Sequence, residues 1–281
     1  MSMASSIQTL QSQRHPFAPI VNSMGYGEKL FSRGVCASVL GGIARAVADI
    51  VYPPSCVGCG RQTQKGGAFC VSCWAGVHFI ERPYCEVLGI PFARDHGPAV
   101  LSAQAIAEPP PFERLRAATI HEGAARRLVH QLKYLDRTDL ARLMALWMLR
   151  AGDGAVEACD YIIPVPLHRR RFLARRFNQS AELARHLSAL SSRPLLASTL
   201  VRIKPTSRQV GLSARARKEN VRGAFGIASG REGDVMGKRI VLVDDVYTTG
   251  ATVAAAARRL KKAGAADVTV LTFAMAISGP I

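Results

Sequence analysis

Ile240-Val-Leu-Val-Asp-Asp-Val-Tyr-Thr-Thr-Gly-Ala-Thr252 is the stretch that decides the fold. Its apolar, mostly β-branched start reads as a buried strand, which delivers two adjacent carboxylates, Asp244 and Asp245, to its C-terminal end. In open α/β sheets that end is where ligands sit. The loop that follows, Thr248, Thr249, Gly250, Ala251 and Thr252, is small and rich in hydroxyls. It runs into a helix expected from about Thr252 to Ala263, with Gly264 ending it. Backbone N–H groups at a helix start, with the helix dipole, form an anion site, and Gly250 lets the backbone come close. Carboxylates beside an anion cradle call for a ligand with hydroxyls as well as phosphate. A vicinal ribose diol donates to them, and Mg²⁺ takes oxygen ligands nearby. A Walker B strand would need G-x-x-x-x-G-K-[ST] upstream, and the sequence has none.

Outward from this stretch, strands alternate with helices. Tyr161-Ile162-Ile163 reads as a short strand ended by Pro164. Asn178 caps a helix that buries Ala181, Leu183, Ala184, Leu187 and Leu190. Leu195 to Val201, Val221 to Ile227 and Asp267 to Ala274 are further strands. Upstream, Gly123 to Tyr134 reads as a helix with Ala124, Leu128 and Leu132 on one face, and Asp139 to Arg150 as another behind a Thr138 N-cap. Short strands separated by helices of about 12 residues imply parallel βαβ units covered on both faces.

The charge is uneven. The chain of 281 residues carries 37 Lys and Arg against 20 Asp and Glu, a net +17. Between Pro166 and Arg222 stand 14 Lys and Arg but only two acids, Glu182 and Glu219, so this segment carries +12 of that total. A field of this sign favours polyanions: nucleic acid, phosphorylated metabolites or an anionic membrane surface. Arg169, Arg170, Arg171, Arg175 and Arg176 are the candidate nucleic-acid contacts. Only Phe172 and Phe177 lie among them as platforms for base stacking. The long polar stretch from Ile203 to Asn220 between two strands has the length of a functional lid.

Seven cysteines include two C-x-x-C pairs, Cys56 with Cys59 and Cys70 with Cys73, ten residues apart. Four thiolates on two knuckles match a closed, structural zinc site, and Gly58 and Gly60 permit the tight turn. A redox C-x-x-C needs only one pair and a thioredoxin-like surrounding that is missing here. Cys36, Cys85 and Cys159 read as core or surface thiols, and His78 and His96 as ordinary polar contacts. No run approaches 18 apolar residues and no apolar h-region opens the chain, so a cytoplasmic protein without a membrane span is expected.

The strand–Asp–Asp–loop–helix stretch resembles the signature of the type I phosphoribosyltransferases. That resemblance implies that Asp244 and Asp245 bind the ribose hydroxyls of phosphoribosyl pyrophosphate, with Mg²⁺, while Tyr247, Thr248, Thr249, Gly250, Ala251 and Thr252 wrap the 5′-phosphate. Val165, Pro166, Leu167, His168 and Arg169 resemble the pyrophosphate loop. Ser207, Arg208, Gln209 and Arg217 lie in what looks like the flexible loop that closes over substrate.

The order YPPSCVGCG, FCVSCW, PYCEVLGIPF, GAARRLVHQLKYLDR, PVPLHRRR, RRFNQSAELA, TSRQVGLSARARKENVRGAF and VLVDDVYTTGAT is narrower. It resembles the ComF/GntX family of bacterial phosphoribosyltransferase-like proteins with an N-terminal zinc ribbon, over about Val47 to Ala274. Departures are Cys85 with Leu88 where many members carry a third C-x-x-C, which puts a second zinc site in doubt, Arg176 in place of a glycine, and His121-Glu122-Gly123 for Tyr-Asp-Gly. The expected organisation is a disordered extension over 1–34, a helix and zinc-ribbon module over 35–90, a linker and helical hood-like segment over 91–150, and the phosphoribosyltransferase-like domain over 151–281. About 30 residues follow the phosphate motif, so any hood over the ligand comes from residues 85–150. The resemblance implies a role in DNA uptake on single-stranded DNA, with a competence helicase and a recombination mediator as partners. A glycosyltransferase acting on a nucleobase or another nitrogen nucleophile, and a phosphoribosyl pyrophosphate sensor without turnover, remain as alternatives.

Overall fold

The computed structural model describes residues 53–95, 97–167, 177–204, 216 and 219–277. Among these the helices and strands run α1 (Val71–Ala75), α2 (Ala103–Ala107), β1 (Arg114–Ile120), α3 (Gly123–Tyr134), α4 (Ala141–Ala151), α5 (Ala155–Ala158) and β2 (Tyr161–Pro164). There follow α6 (Gln179–Ser191), β3 (Leu200–Arg202), β4 (Phe225–Ile227), β5 (Arg239–Tyr247), α7 (Ala251–Lys262) and β6 (Asp267–Met275). The expected extension over 1–34 and the first part of the 35–90 module, up to residue 52, lie outside the described residues.

Four strands form a sheet in the order β1-β6-β5-β2, every pair parallel. A parallel sheet is covered on both faces, so its central strands are apolar along their length. β5 and β6 are such strands: Ile240 to Val243 and Val268 to Met275 are buried almost throughout. Ile240, Leu242, Val268 and Val270 pack on one side against Val253, Ala256, Ala257 and Leu260 of α7. On the other side Val241, Val243, Leu271 and Phe273 meet Leu128 and Leu132 of α3, Met144 and Met148 of α4, and Leu183 and Leu187 of α6. At about 1.5–3 kcal/mol for each large apolar side chain taken out of water, these two layers dominate the stability. The parallel, doubly covered sheet matches the architecture expected from the sequence.

Some elements differ from expectation. β1 lies within 91–150 and extends the sheet next to β6, so this stretch supplies a strand as well as the helices α3 and α4. Arg116 in the middle of β1 hides its strand character, although the side chain is 2% exposed. Thr138 is not an N-cap: it opens a 3-10 turn, Thr138–Leu140, that leads into α4. β3 and β4 are only three residues each and pair antiparallel apart from the main sheet. Gly264, at φ +94°, ends α7 as expected.

Candidate functional site

Two strand ends meet where the sequence placed the ligand. Pro164 of β2 lies beside Val243 of β5, and Val165 N donates to Val243 O at 2.8 Å. Val165, Pro166 and Leu167 therefore leave the sheet next to Asp244. The rest of the expected pyrophosphate loop, His168 and Arg169, lies outside the described residues, as do Arg170, Arg171, Arg175 and Arg176. Ser207, Arg208, Gln209 and Arg217 of the expected flexible loop lie outside them too.

The start of α6 ties these strand ends together. Asn178 caps the helix by accepting from Ser180 N at 3.2 Å and also donates to Val165 O at 3.1 Å. Ser180 Oγ donates to Asp244 Oδ1 at 2.8 Å, and the Asp245 N–H donates to the same oxygen at 2.9 Å. Lys133, in the last turn of α3, pairs with Asp245 Oδ1 at 2.9 Å. Burial first, and then the Asp245 carboxylate alongside, push Asp244 up to about 7. His121 is held below its usual value by burial and by the nearby Lys133 and Arg126 cations. Ser180 and Lys133 were not singled out from sequence as partners of the two aspartates, because only the tertiary fold brings them there.

The loop after β5 is tight. Gly250 stands at φ +71°, and a Cβ there would lie 2.5 Å from Tyr247 Oη, so both the backbone and the space demand glycine. The Tyr247 ring itself is buried in the core against this turn, while Thr248 is exposed. The Thr249 hydroxyl is buried without a hydrogen-bond partner among the described residues. An orphaned donor costs about 1–3 kcal/mol, which an acceptor oxygen at that point would recover. Ala251 and Thr252 open α7, where first-turn N–H groups have no partner inside the helix. The arrangement can accept from hydroxyls at Asp244 and Asp245 and donate to an anion a few residues on.

The cysteines form the second constellation. Ligand atoms of Cys56, Cys59, Cys70 and Cys73 all lie within 4.8 Å of one another, and Cys59 and Cys70 have their sulfurs 3.7 Å apart. Tetrahedral thiolates at about 2.3 Å from zinc stand about 3.8 Å apart, so the donor set fits that ion. Burial works against the Cys56 thiolate, but the N–H groups of Cys70 and Gly58 outweigh it and bring Cys56 down to about 6. Gly58 leaves room for Cys73, whose Sγ would meet a Cβ there at 3.0 Å. Arg127 of α3 donates to Gly58 O at 2.6 Å and to Cys73 Sγ at 3.3 Å, and Gln131 donates to Val57 O at 2.8 Å. One helix thus docks the cysteine knuckles and carries Lys133 to Asp245.

Residues 84–105 repeat this knuckle without its ligands. Cys85 N donates to Ile90 O at 2.8 Å, as Cys56 N does to Arg61 O at 2.7 Å. Gly89 N donates to Cys85 O at 2.7 Å, as Gly60 N does to Cys56 O at 2.8 Å. Tyr84 bridges to Pro91 as Ser55 bridges to Gln62. Ser102 caps α2 and donates its N–H to Cys85 Sγ at 3.2 Å, as Cys70 before α1 does to Cys56 Sγ at 3.2 Å. Cys56, Cys59, Cys70 and Cys73 therefore correspond to Cys85, Leu88, Ser102 and Ala105. One thiol, two apolar residues and a hydroxyl already bonded to Ala105 N do not fit zinc.

The remaining sulfur and imidazole candidates have ordinary partners. Cys159 is buried and donates to Val156 O, with burial raising its thiol to about 11. His78 pairs with Glu122. Cys36 and His96 lie outside the described residues. No helix among them is long and apolar enough to cross a membrane.

Comparison with known proteins places a family match over each of these two regions. A double zinc ribbon domain matches residues 47–105 and a phosphoribosyl transferase domain matches residues 182–280. DNA utilization protein YhgH of Shigella flexneri is 36% identical over 195 residues, 68% of this chain and 83% of that protein. Competence protein F of Haemophilus influenzae is 37% identical over 144 residues, 51% of this chain and 62% of that protein. The solved structure of the allosteric regulatory enzyme of purine biosynthesis aligns with 51% of this chain and 30% of its own, at 23% identity and a TM-score of 0.35. A relative 36% identical over 83% of its own length, together with the zinc-ribbon and phosphoribosyl transferase matches along this chain, places it in the ComF family of phosphoribosyltransferase-domain proteins with an N-terminal zinc ribbon.

Proposed function

We propose that this protein binds phosphoribosyl pyrophosphate, or the ribose-5-phosphate group of a nucleotide, at the end of β5 and serves the handling of single-stranded DNA. The observation that carries this is the Asp244–Asp245 pair, held by Ser180 and Lys133, beside a loop whose Thr249 hydroxyl is buried without a partner among the described residues. Asp244 and Asp245 accept from the ribose hydroxyls. Tyr247 to Thr252 surround the 5′-phosphate, chiefly with backbone N–H groups at the start of α7. Val165 to Arg169 take the pyrophosphate, and Ser207, Arg208, Gln209 and Arg217 cover it. Bound Mg²⁺ supplies charge neutralisation at the pyrophosphate oxygens. A hydroxyl that reaches Asp245 shares that carboxylate with Lys133.

The names of the relatives, DNA utilization and competence, support the nucleic-acid part. So does the +12 charge between Pro166 and Arg222, with Arg169, Arg170, Arg171, Arg175 and Arg176 as contacts. A competence helicase and a recombination mediator are the partners that the family resemblance implies.

Calorimetry with phosphoribosyl pyrophosphate and Mg²⁺ tests the ligand. Asp244→Ala with Asp245→Ala removes two charged acceptors at about 1.5–3 kcal/mol each, so affinity is expected to fall at least about 100-fold. Undiminished binding would move the site elsewhere. The fold survives these changes, because Asp244 is a burden on the ligand-free protein. Its folded pKa lies above the ordinary 3.8, so stability falls as pH rises from about 4 towards about 7, and Asp244→Asn removes that fall in a thermal melt. Pyrophosphate release with one particular base, together with DNA binding indifferent to salt, would overturn the DNA assignment in favour of a transferase.

A further inference from the structure

The two ends of α7 differ in chemistry. Its start is the proposed phosphate loop; its last turns line a cleft of about 540 Å³ together with Phe225 of β4. Ala255, Arg258, Arg259 and Lys262 recur at helical spacing and line one wall. Arg222, from the turn before β4, lines the same cleft, with Phe225 of β4 and an acid, Glu219. Gly223 stands at φ +63°, and a Cβ there would meet Lys204 Nζ at 3.4 Å, so a fifth cation reaches the rim.

None of the side chains of Arg222, Arg258, Arg259 and Lys262 makes a hydrogen bond or ion pair among the described residues. Their neighbour Lys261, on another face of α7, pairs with Glu113 at 3.3 Å and bonds Ala266 O at 3.0 Å. Cations near a helix C-terminus complement its dipole, which accounts for Arg259, Lys261 and Lys262. The dipole does not account for Arg222, which comes from a different element and enters the same cleft. Gathering these four cations opposes folding through mutual repulsion, and an anionic ligand relieves it.

We propose that this cleft binds the phosphodiester backbone of a nucleic-acid strand, at a second site separate from the end of β5. Arg258 and Lys262 are one turn apart, about 6 Å along the helix, and Arg222 and Lys204 reach the cleft from other elements. That spread suits consecutive phosphates on a chain better than one phosphate. Phe225 is 5% exposed and carries the Arg202 guanidinium 5.3 Å from its ring centre, so it offers no platform for a base. Recognition there is of phosphate, independent of sequence. The inference deepens the nucleic-acid half of the function proposed above and needs neither the nucleotide site nor the arginines of 169–176. About eight residues, some 12 Å of helix, separate Ala251 from Arg259.

The test uses the full chain and a labelled 30-mer of oligo-dT in fluorescence anisotropy across a salt series. Arg222→Ser, Arg258→Ser and Lys262→Ser together, all at the wall of the cleft, are expected to weaken binding at least tenfold. The log–log salt slope should flatten by about two, at roughly 0.7 for each phosphate that is no longer neutralised. Zinc content and phosphoribosyl pyrophosphate binding stay unchanged, which separates this result from failure of the nucleotide site. In wild type, oligo-dT should shield Arg222 and Arg258 from phenylglyoxal, a readout that does not depend on a variant folding. An unchanged affinity and slope, or no shielding, overturns the proposal. Inorganic polyphosphate run in parallel distinguishes the source of the phosphates: if the triple variant loses polyphosphate but keeps oligo-dT, the nucleic-acid assignment is wrong.

Discussion

The two knuckles of the N-terminal region share a backbone and differ in what holds it. In the first, four thiols converge within reach of one metal ion, and the surrounding core is small: Cys56, Cys73, Val77 and Ala124. In the second, Cys85, Leu88 and Ala105 are buried in the main core beside Leu115 and Ala117 of β1. Leu115 N donates to Val87 O at 2.7 Å, and Arg116 bonds both the carboxylate and the backbone carbonyl of Glu86 at 3.0 and 2.9 Å. Arg116 and Arg82 also flank the Tyr84 ring at 4.7 and 4.8 Å. Both knuckles have polar anchors, Arg127 and Gln131 for the first and Arg116 for the second, but the one laid on the sheet adds buried area of the main core where the one on α3 adds four metal ligands. The difference teaches that a ribbon keeps its turn geometry after its ligands are gone, provided another surface supplies the energy.

The largest expected effect comes from breaking the first knuckle. Cys73→Ser takes one thiolate from a four-ligand site, and elemental analysis should fall from about one zinc per chain to none. Structural zinc in small fingers is worth about 10–16 kcal/mol of local folding energy, so residues 54–77 should become sensitive to protease. The sheet, with its own two core layers, should remain folded by circular dichroism. Two zinc ions per wild-type chain would break the comparison, because the second knuckle would then hold metal despite its residues.

How far these differences were legible follows from which residues carry them. α3 was readable to its ends, since Ala124, Leu128 and Leu132 recur at helical spacing. The Asp244–Asp245 strand was readable because an uninterrupted apolar run ends in two acids. β1 was not: Arg-Leu-Arg-Ala-Ala-Thr-Ile looks half polar, and only the contact with Glu86 makes Arg116 a buried residue. Lys133 and Ser180 gave no local sign of meeting the aspartates, because they lie 112 and 64 residues from their partners. The second knuckle was legible in part: the family resemblance set Cys85 with Leu88 against a third C-x-x-C, and Gly89 follows Cys85 as Gly60 follows Cys56. With Ser102 and Ala105 in place of the second pair, nothing local showed that the turn and its cap were kept.

An intermediate effect is expected at Cys85. Its sulfur accepts from the N–H groups of Leu88 at 3.4 Å and Ser102 at 3.2 Å; burial, the largest single influence, works against ionisation, but the hydrogen bonds together outweigh it and hold the thiol below its usual value. Cys85→Ala leaves one buried and one half-buried donor without an acceptor, a loss of about 2–3 kcal/mol by chemical denaturation. Zinc content should not change. A drop in zinc with this variant would mean that the two knuckles share metal, and the contrast between them would fail.

The smallest effect distinguishes the knuckles at a position they hold in common. Gly60 and Gly89 both stand in the left-handed region, at φ +77° and +61°, where a side chain costs about 1–2 kcal/mol. Around Gly60 no atom lies within 4 Å of an added Cβ, so Gly60→Ala should lose only that backbone cost, about 1 kcal/mol. At Gly89 the same Cβ would sit 2.6 Å from Leu115 O, a backbone atom of β1 fixed in the sheet. Relief requires the knuckle to lift away from the strand, stretching the Leu115–Val87 hydrogen bond and the Arg116–Glu86 pair together. Overpacking of that kind adds about 1–3 kcal/mol, so Gly89→Ala should lose about 2 kcal/mol more than Gly60→Ala in matched denaturation curves. Equal losses would show that the second knuckle is not pressed against β1, and its independence from metal would need another source.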